Sequence, residues 1–494
     1  MAETEPRPLD RRTFLGGALA AAGGVALGAN RITDLSFTRN RRIALAPDRM
    51  FELPAAEAPI DTVVILMLEN RSFDHLLGWL GTDEAYLEEG RRRFGSKFRI
   101  AASTDEEYLD PEGRQFRTHE AFDGLKGESG ALRGCHYNIP GHSWTQGRAQ
   151  RDRGFLGEGT GNDEYAISYF DGNAFPYHRA ISSSFTVLDH YFSSVLGPTF
   201  PNRQYLHSAQ SEGYKSDPGP LKSGIFKAET IWDRLMAANV PATYYYTDIP
   251  LLRLWGPHLK PLVAPVTQYF EQALAGTLPN VVMVEPSFKG RNRADGHPRG
   301  DLRIAAAFAG VVVEALLHSP QWQRSMLVIA HDEWGGFFDH VTPPRFPDAR
   351  ASDNDADDFS QAGFRVAAAL VSPFAAGNAV DSTPYDHTSI LRFLEWRFLG
   401  APARGTHRGS GSRWWLTTRD RHAHPIGQTL ASTPVNTDVE SLIGATVTVD
   451  LPNSVAECAD PDSNKGEAPF ETHTSFDEEV SISHPVVKDR PWEP

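Results

Sequence analysis

The sequence lacks the features that mark several classes of protein. It has only two cysteines, Cys135 and Cys458, which excludes a disulfide framework and a cysteine-based zinc site but allows one disulfide outside the cell. The net charge is −15 and no basic stripe follows Arg42. Because nucleic-acid binding needs clustered Lys and Arg to neutralise phosphates, we expect no nucleic-acid partner. The acidic balance does not exclude an anionic substrate, since a bound metal ion can reverse the local field.

Several catalytic motifs are also missing. The chain has no Gly-x-Ser-x-Gly elbow, no His-Glu-x-x-His, no Walker loop and no Gly-x-Gly-x-x-Gly after a strand, so we set aside the chemistries that these motifs carry. The 494 residues are 40% hydrophobic, which is enough to build a sizeable core. A large α/β enzyme can reach this length with insertions.

The N-terminus has the pattern of an export signal. Arg11 and Arg12 precede a short, weakly apolar run rich in Gly and Ala at residues 16–29. This arrangement is typical of a twin-arginine signal, although a chance Arg-Arg pair is the alternative. The run has fewer than 18 residues, so it is a poor membrane span. We predict that residues 1–29 direct export of the folded protein to the periplasm, the cell surface or the medium.

Apolar runs alternate with helical patterns along the chain. Continuous runs rich in Val, Ile and Leu predict strands that are buried on both faces. These runs lie at residues 60–68, 280–284, 326–330 and 366–371. Helical patterns lie at residues 230–238, 302–318 and 389–398, the last with Thr388 as the expected N-cap. The alternation predicts an α/β fold, with a mostly parallel central sheet and helices on both faces.

Two other regions differ in composition from these elements. Residues 82–135 are rich in Glu, Arg and Gly, which is typical of a surface insertion. From residue 426 the chain is polar, with many Pro, Asp, Ser and Glu. We expect residues 426–494 to form an extended or partly disordered C-terminal extension.

Acidic and amide side chains follow two of the predicted strands. Glu69 and Asn70 come after the first strand, and Asp332 and Glu333 come after the strand at 326–330. In open parallel sheets, ligands bind outside the carboxyl ends of the strands, so the two pairs can meet there. Their hard oxygen atoms suit Mg, Ca or Mn, and with a nearby His also Zn or Fe. A solvated strand end is the alternative interpretation of each pair alone.

A hydroxyl group and two histidines are further candidates. Thr199 stands just before Pro201, which favours the first turn of a helix. It would then lie where helix N–H groups can bind a phosphate, and a metal-bound hydroxyl can become a nucleophile. A simple N-cap is the alternative. His142 and His297 are each able to hold a phosphoryl oxygen or to protonate a leaving group. The pairs Asp339-His340 and Asp386-His387 are more typical of structural or supporting roles.

These motifs together resemble the bacterial phospholipase C and acid phosphatase family of phosphoesterases. The matching stretches are ENRSFDH at 69–75, HSW at 142–144, FTVLDHYFSSVLGPTFPNRQYLHSA at 185–209, HP at 297–298, HDEWGGFFDHVTPP at 331–344, GFRVAAALVSPF at 363–374 and DHTSILRFLE at 386–395. That family resembles the alkaline phosphatase and sulfatase architecture. The resemblance implies a phosphoesterase catalytic domain over residues 58–425.

The resemblance also implies roles for single residues. Thr199 matches the family's hydroxyl nucleophile and, with Glu69, Asn70 and Asp332, its metal ligands. The residues that match those surrounding the phosphoryl group are Asn202, His142, His297 and Glu333. Gly296 precedes His297 where an acidic residue is usual, and His331 replaces a common Tyr. These departures bear on substrate preference.

The sequence therefore predicts an exported phosphoesterase that depends on a divalent metal ion. A phospholipase C that cleaves phospholipids through a phospho-threonine intermediate is the first expectation, and such a substrate implies peripheral contact with a membrane surface. An acid phosphatase acting on small phosphomonoesters is the alternative. A catalytically dead, exported metal- or lipid-binding protein is a third hypothesis, against which the retained hydroxyl, carboxylates and histidines argue. The identity of the metal and the oligomeric state stay open.

Overall fold

A computed structural model describes residues 49–219, 221–290, 293–403, 414–436 and Cys458. The predicted signal at residues 1–29 lies outside these residues, as does most of the predicted C-terminal extension. None of the helices in the described ranges is long and apolar enough to cross a bilayer.

Eight strands form one central sheet, and its order is β12-β6-β11-β10-β1-β9-β7-β8. The strands are β1 (Thr62–Leu68), β2 (Glu107–Leu109), β3 (Gln115–Arg117), β4 (His119–Glu120), β5 (Ser168–Tyr169), β6 (Thr186–Leu188), β7 (Ala242–Tyr246), β8 (Val263–Pro265), β9 (Val281–Val284), β10 (Ser325–His331), β11 (Ala369–Val371) and β12 (Ala379–Asp381). β11 runs antiparallel to both of its neighbours. The other pairs of the central sheet are parallel, which confirms the predicted mostly parallel sheet.

Helices surround this sheet. The α-helices are α1 (Phe73–Leu77), α2 (Glu84–Phe94), α3 (Ala121–Gly124), α4 (Gly127–Arg133), α5 (Trp144–Arg153), α6 (Pro176–Ser184), α7 (Thr199–Ser208), α8 (Ile231–Ala237), α9 (Val266–Ala275), α10 (Leu302–Leu317), α11 (His387–Leu399) and α12 (Thr418–His422). Short 3₁₀ turns occupy Met50–Glu52, Ala55–Glu57, Gly78–Gly81, Glu164–Ile167, Leu251–Trp255, Pro257–Leu262, Trp322–Arg324 and Asp355–Asp357.

The sheet has a hydrophobic cluster on each face. Val64 and Leu66 of β1 pack in one cluster, which also receives α10. Val63 and Ile65 pack in the other cluster, which receives much of α11. Both faces of β1 are therefore buried, and this explains why its sequence is continuously apolar rather than alternating.

Two predicted elements differ from the structure in detail. The helix at α11 is capped by Asp386 rather than Thr388, because the Asp386 carboxylate accepts the Thr388 N–H at 3.0 Å. Only Ala369–Val371 of the run at 366–371 pairs in the sheet, and it is antiparallel. A continuous apolar run indicates burial on both faces but carries no information about strand direction.

The two regions of unusual composition contribute more to the core than their sequences indicate. Tyr86, Leu132 and Cys135 of the predicted surface insertion are buried, so this region is only partly superficial. Ile426 and Leu430, at the start of the predicted extension, are also buried, and the Leu430 carbonyl accepts the Met50 N–H at 3.1 Å. Cys135 forms a disulfide with Cys458.

Candidate active site

The two acidic motifs meet at one edge of the sheet. β1 and β10 are neighbours, and Leu68 is in register with His331, so Glu69 and Asp332 leave the sheet side by side. The Asp332 N–H donates to the Leu68 carbonyl at 3.0 Å. Both side chains are buried, at 1% exposure or less. The expectation that two motifs far apart in sequence converge here is confirmed.

A buried arginine binds the carboxylates at this edge. Arg203 Nε donates to Asp332 Oδ2 at 3.0 Å, and Nη2 donates to Glu69 Oε1 at 3.3 Å. Its Nη1 also reaches both carboxylate oxygens of Glu285, at 2.8 and 2.9 Å. One guanidinium therefore connects the residues that follow β1, β9 and β10. Arg203 and Glu285 are not among the site residues that the sequence predicts. Glu285 directly follows a predicted strand, and Arg203 lies one helical turn after Thr199.

Burial and mutual repulsion favour protonation of these acids. Burial raises the pKa of Asp332 to about 6 and that of Glu285 to about 7. The pKa values of Glu69 and Glu333 are raised well above the ordinary range, first by burial and then by the nearby charge of Asp332. Three buried carboxyl groups, those of Glu69, Glu285 and Asp332, thus contact one arginine, and Glu333 lies near Asp332 and Glu69. When these acids are ionised, their negative charge exceeds the charge of Arg203, and a cation would offset the excess.

Two buried oxygen atoms at the same place have no hydrogen-bond donor among the described residues: Asn70 Oδ1 and Glu333 Oε1. A buried acceptor without a partner costs about 1–3 kcal/mol. Asn70 lies in the left-handed region with φ of 58°, and its backbone N–H donates to Asp332 Oδ1 at 3.2 Å. The described residues contain no set of three or more His, Cys, Asp or Glu side chains arranged as a metal site. An amide oxygen and carboxylate oxygens that need a positive partner nevertheless fit a hard divalent cation.

Helix α7 begins at Thr199, and Pro198 is its N-cap residue. Thr199 is therefore the first helical residue rather than the cap. It is buried, at 5% exposure, and it lies four positions before Arg203, a spacing that places two side chains on one helix face. One helix therefore carries both Thr199 and the arginine that binds the acidic cluster.

The side chain of Asn202 holds the loop that precedes Thr199. Its Oδ1 accepts the Val195 N–H at 2.9 Å, and its Nδ2 donates to the carbonyls of Gly197 and Pro198 at 2.8 and 3.1 Å. The amide is thus engaged with the protein on both sides. These contacts give Asn202 the geometry of a positioning residue, which differs from the expected place beside a phosphoryl group.

An unforeseen carboxylate occupies part of the predicted phosphate cradle. Asp217 Oδ1 accepts the Phe200 N–H at 2.8 Å, and Pro201 has no N–H to offer. The first turn of α7 therefore presents fewer amide donors to an anion than its sequence indicates. Nothing in the spacing between Asp217 and Phe200 signals this contact.

His142 and His297 lie together, with ring centroids 6.0 Å apart. His142 Nδ1–H donates to the Pro140 carbonyl at 2.9 Å, and Nε2 accepts from Asn70 Nδ2 at 3.2 Å. His297 Nδ1–H donates to the Pro298 carbonyl at 2.8 Å. Burial lowers the pKa of both rings, so both are neutral near pH 7 and carry a lone pair on Nε2.

The two Asp-His pairs have supporting contacts. Asp339 binds Arg365 Nε at 2.9 Å, and the ring of His340 binds Asp74. Asp386 caps α11, and His387 Nε2–H donates to the backbone carbonyl of Asp332 at 2.7 Å. These contacts agree with the expected structural roles of both pairs, and His387 helps to fix the position of Asp332.

Comparison with known proteins independently supports the family that the sequence motifs resemble. Residues 60–399 match the Phosphoesterase family. The chain is 30% identical to non-specific phospholipase C6 of Arabidopsis thaliana, over 74% of this chain and 73% of that protein. It is 26% identical to the non-hemolytic phospholipase C of Pseudomonas aeruginosa, over 83% of this chain and 64% of that protein. A solved structure from Vibrio parahaemolyticus, described as a protein in the alkaline phosphatase superfamily, matches with a TM-score of 0.30 and 8% identity over 75% of each chain. That score is too low to support an argument.

Proposed function

Since the chain belongs to the Phosphoesterase family and is a phosphoric ester hydrolase, we propose that it is an exported, metal-dependent phospholipase C. Its substrate would be a phospholipid, cleaved between the glycerol oxygen and phosphorus. The names of the relatives support this substrate class. The observation that carries the chemistry is the convergence of Glu69, Asn70 and Asp332 at one sheet edge, with the helix of Thr199 attached there by Arg203.

We propose Glu69, Asn70, Asp332 and Thr199 as the residues that hold a divalent cation. The unpartnered Asn70 Oδ1 supports this set, and the unpartnered Glu333 Oε1 adds Glu333 as a further candidate ligand. When bound, the cation would supply Lewis acidity and offset the negative charge of the site. The ligand chemistry, oxygen only, favours Mg²⁺, Ca²⁺ or Mn²⁺.

The side chain of Thr199 would act as the nucleophile. A bond forms between Thr199 Oγ and phosphorus as the bond between phosphorus and the glycerol oxygen breaks. The head-group phosphate then remains on Thr199, and the diacylglycerol alcohol leaves. Water next attacks phosphorus, the Thr199 Oγ–phosphorus bond breaks, and the phosphorylated head group is released.

A histidine would carry the proton in both steps. Because burial keeps His142 and His297 neutral, the ring must first accept a proton, and the Thr199 hydroxyl is the available donor. The same ring then gives this proton to the departing glycerol oxygen, and the transfer runs in reverse when water attacks. His142 is half-buried, and its Nε2 is already oriented by Asn70. Asn202 would hold the loop before Thr199 in place during these steps.

A parallel assay tests this proposal. The purified protein, stripped of metal and then reloaded with Mg²⁺, Ca²⁺, Mn²⁺ or Zn²⁺, is presented with phosphatidylcholine vesicles and with a chromogenic phosphomonoester. We expect metal-dependent release of diacylglycerol and of phosphocholine. Faster turnover of the monoester would instead indicate an acid phosphatase. Turnover of neither substrate would favour the hypothesis of a non-catalytic binding protein.

Export by the twin-arginine route is also proposed. Arg11 and Arg12 support it from the sequence, and the Cys135–Cys458 disulfide agrees with an oxidising compartment. Changing both arginines to Lys should retain the protein inside the cell while its fold is unaffected. Unchanged secretion of that double variant, measured by immunoblotting of cell fractions, would contradict this route.

A further inference from the structure

The segment that carries His297 is held in an unusual conformation. It lies between β9 and α10, and His297 is 4% exposed. On one side, Arg71 Nε donates to the Gly296 carbonyl at 2.8 Å. On the other side, Arg299 has a φ of 78°, which is in the left-handed region and is uncommon for any residue other than glycine. Such a conformation persists only where the surrounding contacts enforce it.

Arg299 is fixed by hydrogen bonds in both directions. Its backbone N–H donates to the Arg133 carbonyl at 2.8 Å, and Arg133 Nε donates back to the Arg299 carbonyl at 3.1 Å. The Arg299 guanidinium donates to the carbonyl of Gly134 and, at 2.8 Å, to that of Tyr137. Arg299 is 8% exposed. The His297 segment is therefore fastened to residues 133–137, more than 160 positions earlier in the chain.

The same anchoring segment contains one half of the disulfide. Cys135 lies between the residues that receive the Arg299 hydrogen bonds, and it is bonded to Cys458, 323 positions away. Cys135 is buried. A cross-link that closes so long a loop restricts the chain strongly in its less ordered states. In the folded protein it ties residues 133–137 to a second point of the chain, so Arg299 connects the His297 segment to a cross-linked segment.

We propose that Arg299 is a positioning residue for His297, and that the Cys135–Cys458 disulfide locks the segment on which Arg299 is anchored. Turnover should therefore depend on the redox state of this cysteine pair. This proposal rests on the proposed function, in which His297 is one of the two histidines that could carry the proton. If Arg299 and the disulfide only stabilised the fold, their loss would lower the melting temperature without a selective change in kcat.

The first test removes the cross-link. In the wild type, dithiothreitol supplies two electrons and two protons that convert the disulfide to two thiols, and it becomes a cyclic disulfide itself. We expect kcat for phosphatidylcholine to fall about tenfold, as misplacement of a catalytic group can cause, while KM and bound metal change little. Reoxidation should restore kcat. The double variant Cys135→Ser/Cys458→Ser should match the reduced enzyme and not respond to dithiothreitol. An unchanged kcat in reduced enzyme that is still folded would overturn the proposal.

The second test leaves the cysteines intact. Arg299→Lys keeps the positive charge and the positive φ of the backbone. It loses the planar guanidinium that donates to two carbonyls at once. Arg303→Lys is the matched control. The guanidinium of Arg303 is partly exposed and binds two carboxylates, that of Asp301 at 2.7 Å and that of Glu128. We expect Arg299→Lys to lower kcat about tenfold and Arg303→Lys to have little effect. Equal effects of the two changes would overturn the proposal.

A readout that does not need turnover separates this inference from the proposed function. Diethyl pyrocarbonate modifies accessible histidines, and the modified peptides are mapped by mass spectrometry. His297 should react slowly in the wild type and in Arg303→Lys, and faster in Arg299→Lys and in the double serine variant. If the wild type hydrolyses no phosphate ester, the proposed function fails, while the reactivity of His297 still decides whether Arg299 and the disulfide hold it. Equal reactivity in all four proteins would overturn the inference.

Discussion

Arg203 Nε lies 3.0 Å from Asp332 Oδ2, and this contact attaches the helix that begins at Thr199 to the strand end that carries the Asp-Glu pair. Neither partner is exposed to more than 2%. An arginine and three carboxylates are thus brought into one buried site by a helix and three strands, and the same helix begins at Thr199. The site depends on residues from both halves of the chain, and four predictions test its parts.

Substitution of Thr199 distinguishes hydrolysis through a covalent intermediate from direct attack by water. Thr199→Ala should abolish turnover and leave the fold and most metal binding intact, because the nucleophilic oxygen is lost. Thr199→Ser should retain substantial activity, since only a methyl group is removed. Wild-type enzyme quenched during turnover should carry phosphate or a phosphorylated head group on the peptide that contains Thr199, as detected by mass spectrometry. An Ala variant within a few-fold of the wild type would leave an activated water as the nucleophile.

Asp332 should be needed for metal binding. Asp332→Ala removes an anionic ligand, so the protein should lose both its metal and its activity. Elemental analysis of the dialysed protein measures the first effect directly. Asp357→Ala is the control and should keep its metal, because Asp357 ends an exposed 3₁₀ turn where its carboxylate pairs with Lys215. Full metal content in Asp332→Ala would show that the ligand assignment is wrong.

Arg203 should contribute strongly to stability. Arg203→Met leaves Glu285 and Asp332 without their cationic partner and leaves Glu69 with Arg293 at 3.9 Å. Breaking a buried ion pair in this way costs about 3–5 kcal/mol. Urea unfolding of metal-free protein measures the loss. A divalent cation should recover part of it, because the cation offsets the same charges. A loss below about 1 kcal/mol would contradict the central place of Arg203 in this cluster.

Glu285 should make metal-free stability dependent on pH. Burial raises its pKa from 4.5 to about 7 in the folded protein, so the folded state binds this proton more tightly than the unfolded state. Its contribution to stability is therefore complete below about pH 4.5 and is lost as the pH rises through about 7. Thermal unfolding of wild type and Glu285→Gln between pH 4 and 8 should show the wild type losing stability relative to the variant. A constant difference across that range would contradict the raised pKa.

The sequence by itself determined several of the buried strands and helices and the placing of the motifs that follow them. Residues 62–68 and 325–331 form strands that are buried on both faces because their side chains are continuously apolar, and that pattern can be read from the local sequence. Glu69 and Asp332 follow those strands directly, so parallel pairing alone brings them to one edge. The Asp-His pairs at 339–340 and 386–387 make the kind of structural contacts that were expected of them.

Only the tertiary structure decided which side chains contact one another at the site. Arg203 pairs with Glu285, Asn202 faces the loop before Thr199, and Asp217 takes the Phe200 N–H. The tertiary structure also decided the antiparallel direction of β11 and the link from Arg299 to the disulfide-bonded segment. Periodicity and spacing report burial along one element, since they reflect the repeat of a helix or strand. Contacts between side chains far apart in sequence depend on how the elements pack, and packing is a property of the whole fold.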